Sequence, residues 1–343
     1  MRIIKNTAVF LGVISLMIVT CLVPASALIV DEGDFGFELN SYAKYATLVQ
    51  YSGTDAVVEI PYSYHEYPVK KIAKTAFSGN NNISGIRFST SVETLDEKAF
   101  MNCVGIEQID IPSFVNKWGK MVFTNCTSLQ KVAIYSEMEE IPAYSFAGCR
   151  ELNHFSIHSD NIHSIGAYAF QDCMALSEAD FLTNITSIGY SAFDGTGLKS
   201  ISLSSELTEI PSYAFANCQS LSYVEISPGV NSIAETAFYN CPRISLGVYT
   251  DSYAHQYAID NNIPFVLLDN VILGDVNADN TVDVADVTRI QQFIAELAEI
   301  NGVYLKAGDV NNDDIVNIAD ATAIQMFLAE FNIPYPIGEV MTQ

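Results

Sequence analysis

Ile141-Pro142-Ala143-Tyr144-Ser145-Phe146-Ala147-Gly148-Cys149-Arg150-Glu151-Leu152-Asn153-His154-Phe155-Ser156-Ile157 is one unit of a pattern that recurs through the middle of the chain. Phenylalanine returns at 77, 100, 123, 146, 170, 193, 215 and 238, at spacings of 22 to 24 residues. A period of that length is about one turn of a solenoid. Three residues after each Phe stands Cys103, Cys126, Cys149, Cys173, Cys218 or Cys241, with Asn80 and Thr196 in the two remaining places. Five residues before it stands Ile72, Leu95, Trp118, Ile141, Ile165, Ile188, Ile210 or Ile233. Alternating stretches such as Val132-Ala133-Ile134 and Ile201-Ser202-Leu203 predict a strand with one face buried. One unit cannot bury its own apolar face, so the units must stack and their ends must be capped. With strands about 4.8 Å apart, about eight coils predict a rod on the order of 40 Å long.

This register resembles the bacterial BspA-like leucine-rich repeats. The resemblance spans roughly 40–268: the segment Tyr42 to Val69 looks like that family's opening segment, and Ser252 to Phe265 like its closing turn. It implies a β-rich repeat solenoid wound as a right-handed superhelix. The cysteines read as a ladder of buried thiols giving weak hydrogen bonds to backbone carbonyls, since Asn80 and Thr196 replace them. Disulfides between successive coils are the alternative, and a metal site is disfavoured because one ligand per coil does not make a tetrahedron.

Near the C-terminus the chain repeats itself at longer range. Gly274-Asp275-Val276-Asn277-Ala278-Asp279-Asn280-Thr281-Val282-Asp283-Val284-Ala285-Asp286 returns 34 residues later as Gly308-Asp309-Val310-Asn311-Asn312-Asp313-Asp314-Ile315-Val316-Asn317-Ile318-Ala319-Asp320. A hard cation such as Ca²⁺ takes about six to eight oxygens, which an EF-hand loop places at positions 1, 3, 5, 7, 9 and 12. Here those are Asp275, Asn277, Asp279, Thr281 through its carbonyl, Asp283 and Asp286, then Asp309, Asn311, Asp313, Ile315 through its carbonyl, Asn317 and Asp320. Position 6, usually Gly, is Asn280 or Asp314, both tolerant of the left-handed conformation. Position 12 is Asp rather than Glu, and no amphipathic helix precedes the first loop. Each loop runs into a helix whose apolar residues fall at helical spacing: Ile290, Phe293, Ile294 and Leu297, then Ile324, Phe327, Leu328 and Phe331.

Such duplicated half-EF-hands closely resemble type I dockerins, small all-α modules that bind Ca²⁺ and attach secreted proteins to cohesin domains of a scaffold. The resemblance implies two Ca²⁺ ions. It also implies cohesin contacts at Val284, Ala285, Gln291 and Gln292 in one half, and at Ile318, Ala319, Gln325 and Met326 in the other. The likeness of the halves implies two docking orientations related by a half-turn. The expected division is a signal peptide over 1–27, a solenoid cap over 28–71 and the repeat array over 72–268. A linker over 269–273, the dockerin over 274–334 and a tail over 335–343 complete it.

At the N-terminus, Arg2 and Lys5 precede an apolar run from Ala8 to Val23, and Ala25-Ser26-Ala27 supplies a small-x-small cleavage pattern. An exported chain without a membrane span after cleavage is expected, in the extracellular space and attached to a cell-surface scaffold. A net charge of −24 argues against nucleic acid and anionic membranes as partners.

Strand alternation places Lys131, Tyr135, His154, His158 and Tyr223 on the outward face of the solenoid, a candidate surface for a protein or glycan ligand. Asp110, Glu178, Asp180 and Glu225 take similar outward positions. Neither they nor the histidines form a recognisable acid pair or nucleophile constellation. The expectation is therefore a noncatalytic component of a cellulosome-like, polysaccharide-degrading assembly. The rivals are a glycoside hydrolase and an adhesin or inhibitor that binds host or competitor proteins.

Overall fold

The computed structural model describes residues 29–277, 279–300 and 303–341, so the expected signal peptide lies outside the described residues. The repeats wind into a β-solenoid of about ten turns, more than the eight counted from phenylalanine alone. The extra turns come from the flanks. Strands Ile29–Glu32, Phe35–Asn40 and Tyr45–Tyr51 pair antiparallel, and Tyr45–Tyr51 then pairs parallel with Tyr67–Ile72, which starts the ladder. At the other end Ser245–Val248 pairs parallel with Phe265–Leu267.

Along the outward side Gln108–Ile111, Lys131–Ile134 and His154–Ile157 run parallel and in register, with Lys131 opposite both Gln108 and His154. Ser200–Ser202 and Tyr223–Glu225 resume the ladder. Between them the expected strand of the fifth coil is instead a 3-10 helix over Asp180–Asn184. Its apolar residues explain the departure: Ala179, Leu182 and Ile185 are buried at intervals of three, the period of a 3-10 turn rather than of a strand. Thr183 Oγ1 donates to the Asp180 carbonyl at 2.9 Å and closes the turn.

The core is a column of rings. From Phe77 to Phe238 successive phenylalanines stack with centroids 4.9 to 5.8 Å apart and planes within 19° of each other. Strand spacing sets that distance, so one ring per coil fills the axis without voids. Beside the rings runs the thiol ladder. Each Cys Sγ lies 3.0 to 3.2 Å from the carbonyl of the Phe one coil earlier, as in Cys126 to Phe100 and Cys149 to Phe123. All six described cysteines are buried and free. Helix α1 (Tyr253–Asp260) closes the stack, with Ser252 Oγ accepting from His255 N at 3.1 Å and Ala254, Tyr257 and Ala258 buried.

The C-terminal unit holds α2 (Val284–Ile294), α3 (Val303–Gly308) and α4 (Ile318–Leu328). Its separate core includes Val276, Val287, Ile290, Val310, Ala321 and Ile324. The short α3 leads into the second loop. Residues 268–273 are packed: Leu268, Val271 and Ala307 form a buried cluster with Tyr249, Val266, Tyr304 and Met341 against it. Leu273 N donates to the Glu339 carbonyl at 2.9 Å and Met341 N to the Val271 carbonyl at 2.8 Å, so the last described residues return to the segment that enters the unit.

Candidate functional site

Each acidic loop is shaped by the helix that follows it. Asp283 caps α2, accepting from Ala285 N at 2.6 Å, while Asp286 accepts from Asp283 N at 2.8 Å. Asn317 and Asp320 repeat this reciprocal box on α4, at 2.7 and 2.9 Å. Positions 9 and 12 of each loop are thus fixed by helix capping. Position 1 is fixed by the turn: Asp275 accepts from Asn280 N at 2.9 Å, and Asp309 from Asp314 N at 2.8 Å. The donors of those bonds, Asn280 and Asp314, sit at φ 64° and 65°, the left-handed conformation expected at position 6.

The chemistry of the two loops fits a hard cation. Asp275 is 2% exposed, and Asp286 and Asp320 are fully buried. Burial pushes both the Asp286 and Asp320 carboxyls up, against backbone N–H donors that pull them down. Asn311 Oδ1, at position 3 of the second loop, is buried and has no hydrogen-bond partner among the described residues. A buried acceptor in that state costs about 1–3 kcal/mol unless something positive meets it. Among the described residues no group of three Asp, Glu, His or Cys side chains is arranged to hold an ion alone.

All eight residues expected to meet a cohesin are exposed, including Val284 at 68% and Ile318 at 60%. The apolar spacing of α2 and α4 divides between two tasks. Ile290 and Ile324 are buried in the unit's core, whereas Ile294 at the end of α2, and Leu297 and Phe331 beyond the ends of the two helices, are exposed. Apolar groups left outside on both halves are what an interface requires.

On the solenoid, Lys131, Tyr135, His154 and His158 are exposed as expected, and Tyr135 stacks on His158 with centroids 4.5 Å apart. Tyr223 is a correction. It is 4% exposed, and it lines a cleft with Val276, Asn277, Arg289 and Tyr304, because the C-terminal unit covers this end of the sheet. Its hydroxyl also fills the space where a side chain on Gly247 would stand.

Two family models match the two parts of the chain. The BspA type leucine-rich-repeat family matches residues 58–161 and 139–262, in six copies. The chain belongs to that family. The type I dockerin domain matches residues 273–329. Among solved structures, a leucine-rich repeat protein from Bacteroides ovatus is 21% identical over 64% of this chain and 70% of its own, with TM-score 0.44. One from Eubacterium ventriosum is 25% identical over 60% of this chain and 49% of its own, with TM-score 0.43. Among curated proteins none matches.

A dockerin on a BspA type solenoid implies cohesin binding in a cellulosome-type setting, and leucine-rich repeats imply protein interaction. Type I dockerins bind calcium, and neither domain type is catalytic. Proteins of both kinds are typically extracellular or on the cell surface. No helix among the described residues is long and apolar enough to cross a membrane. In the BspA type thiol ladder burial pushes Cys103 up to about 12 and raises Cys126, Cys149 and Cys173 as well, so those four stay protonated near neutrality, whereas the contact with Cys218 pulls Cys241 down. Sequence reasoning weighed the strand faces and passed over a row of tyrosines at the turn before the Phe column: Tyr144, Tyr168, Tyr190, Tyr213 and Tyr239. The available signal was Tyr two residues before Phe in three of four successive coils.

Proposed function

We propose that the chain is an exported, noncatalytic component of a polysaccharide-degrading assembly, held on a scaffold by a type I cohesin while its solenoid presents a binding surface. The working parts are the signal peptide over 1–27, the capped repeat array over 28–268 and the dockerin over 274–334. The loops would hold two Ca²⁺ ions, one on Asp275, Asn277, Asp279, Thr281, Asp283 and Asp286, the other on Asp309, Asn311, Asp313, Ile315, Asn317 and Asp320. Calcium would supply positive charge to offset the buried carboxylates Asp275, Asp286 and Asp320. The chain's own contribution is the pair of capping boxes, which orient both helices so that Val284, Ala285, Gln291 and Gln292, or Ile318, Ala319, Gln325 and Met326, face a cohesin.

The observation that carries this reading is the shared construction of the two halves. Each joins a left-handed residue at position 6 to a capped helix with exposed apolar residues, and the second leaves Asn311 Oδ1 without a partner among the described residues. Capture of secreted proteins on the full mature chain, with calcium and with a chelator, tests it. A cohesin-bearing scaffold recovered only with calcium is the expected result. Absence of any scaffold under both conditions sinks the docking role.

A further inference from the structure

The five tyrosines form a continuous surface row across five coils. Their centroids step 4.5, 5.2, 5.7 and 6.1 Å from Tyr144 through Tyr168, Tyr190 and Tyr213 to Tyr239. The first two rings stack nearly parallel, at 13°. After that the geometry changes: Tyr190 is turned 62° from Tyr168 and 67° from Tyr213, and Tyr239 is turned 73° from Tyr213. The two turned rings are also the exposed ones, Tyr190 at 43% and Tyr239 at 59%.

The turn backbone does not ask for tyrosine. Lys98, Met121, Ser191 and Tyr213 all hold the same left-handed conformation two residues before their phenylalanine, so the fold accepts unrelated side chains there. Nor does core packing ask for it, since the Phe column fills the axis without these rings. Tyr190 and Tyr239 leave two large, amphipathic rings exposed along one strip of the surface, which suits them to stacking on a ligand.

We infer that the tyrosine row binds a neutral polysaccharide chain, with Tyr190 and Tyr239 as stacking platforms for two sugar rings. Two lines of geometry and charge select this occupant. Tyr190 and Tyr239 lie two coils apart, so about 10 Å of axis separates them at the strand spacing, close to one disaccharide unit of an extended β-linked glycan. The row contains no charged side chain, and a chain of net charge −24 repels an acidic glycan. Hydrogen-bonding groups for sugar hydroxyls stand next in sequence: Asn240 follows Tyr239, and its amide donates to Asn217 at 2.9 Å, whose own amide donates to Asp194 at 2.7 Å. This deepens the proposed function, because it rests on the solenoid being the ligand-presenting half of a scaffold-bound component.

Affinity electrophoresis of the full mature chain through gels containing barley β-glucan, hydroxyethylcellulose, glucomannan, xylan or polygalacturonate tests the inference. Retardation by at least one neutral polymer, unchanged by chelator and absent with polygalacturonate, is expected. Y190A and Y239A, each checked for unchanged urea unfolding, should weaken retardation about tenfold singly, and the double variant should abolish it. Y42A, in the exposed N-terminal cap, should leave it unchanged. Cohesin capture run in parallel separates the two ideas: capture without glycan binding overturns only the row, and glycan binding without capture overturns only the docking. Retardation by no neutral polymer, or retardation indifferent to Y190A and Y239A, overturns the inference.

Discussion

Phe146→Ala removes a ring from the middle of the central column. Phe146 is fully buried, stacks on Phe123 at 5.7 Å and Phe170 at 5.6 Å, and meets Phe155 and Trp118 edge-on at 5.3 and 6.0 Å. Its neighbours belong to rigid coils on both sides, so the cavity cannot collapse. A Phe to Ala change in such a place costs about 3–5 kcal/mol. At a urea slope of about 2 kcal/mol/M that moves the unfolding midpoint down by about 2 M. The end of the column gives the control. Phe238 is 6% exposed and has only Phe215 at 5.8 Å and Tyr257 at 6.4 Å as aromatic neighbours. In a chain of nearest-neighbour coils its loss is felt on fewer interfaces, so Phe238→Ala should cost about half as much. Urea unfolding followed by far-ultraviolet circular dichroism reads both. Equal losses for the two variants, or a loss under about 1.5 kcal/mol for Phe146→Ala, would refute the column as the chief source of stability.

Gly166→Ala should destabilise the array by about 2 kcal/mol, because the added carbon meets Ala143 N at 2.5 Å and the Ile141 carbonyl at 2.9 Å. Gly79→Ala, which meets no atom and suffers only its positive φ, should cost about 1 kcal/mol, and thermal unfolding compares the two. The thiols predict alkaline weakening. Cys103 ionises at about 12 when folded against 9.0 in its ordinary state, so its contribution is intact below pH 9 and disappears as pH rises towards 12. Unfolding midpoints measured across that window should fall, and Cys103→Ala should flatten the decline. In the dockerin, Met326→Ala should lower cohesin affinity with no change in stability, since Met326 is 40% exposed. Ile324→Ala, fully buried, should instead lower stability by about 2–4 kcal/mol, and calorimetry with and without cohesin distinguishes them.

Periodic features of the molecule were legible because they follow from one physical demand repeated many times. Every inward Phe, every Cys and every aliphatic residue five places before Phe must be apolar for stacked coils to close, so the register stood out without any structure. The helix N-caps were legible in part, since Asp283 and Asn317 served as loop ligands in the sequence reading and as capping groups in the structure. What escaped were local departures and contacts between distant segments. The 3-10 turn at Asp180–Asn184 depends on Ala179, Leu182 and Ile185 outweighing a strand expectation borrowed from neighbouring coils. Tyr223 obeyed strand alternation, and the bare Gly247 beside it together with the packing of residues beyond 270 against that face hides it. The tyrosine row mixes three positions relative to Phe, so it forms a line in space without forming one in sequence.

Cohesin affinity of the full mature chain, measured on an immobilised type I cohesin with calcium and with chelator, tests the central claim most directly. The account predicts tight binding with calcium and none with chelator. It also predicts binding that survives either Asp275→Ala or Asp309→Ala alone in weakened form and fails in the double variant. Binding that persists in chelator, or a double variant that binds like the parent, would contradict it.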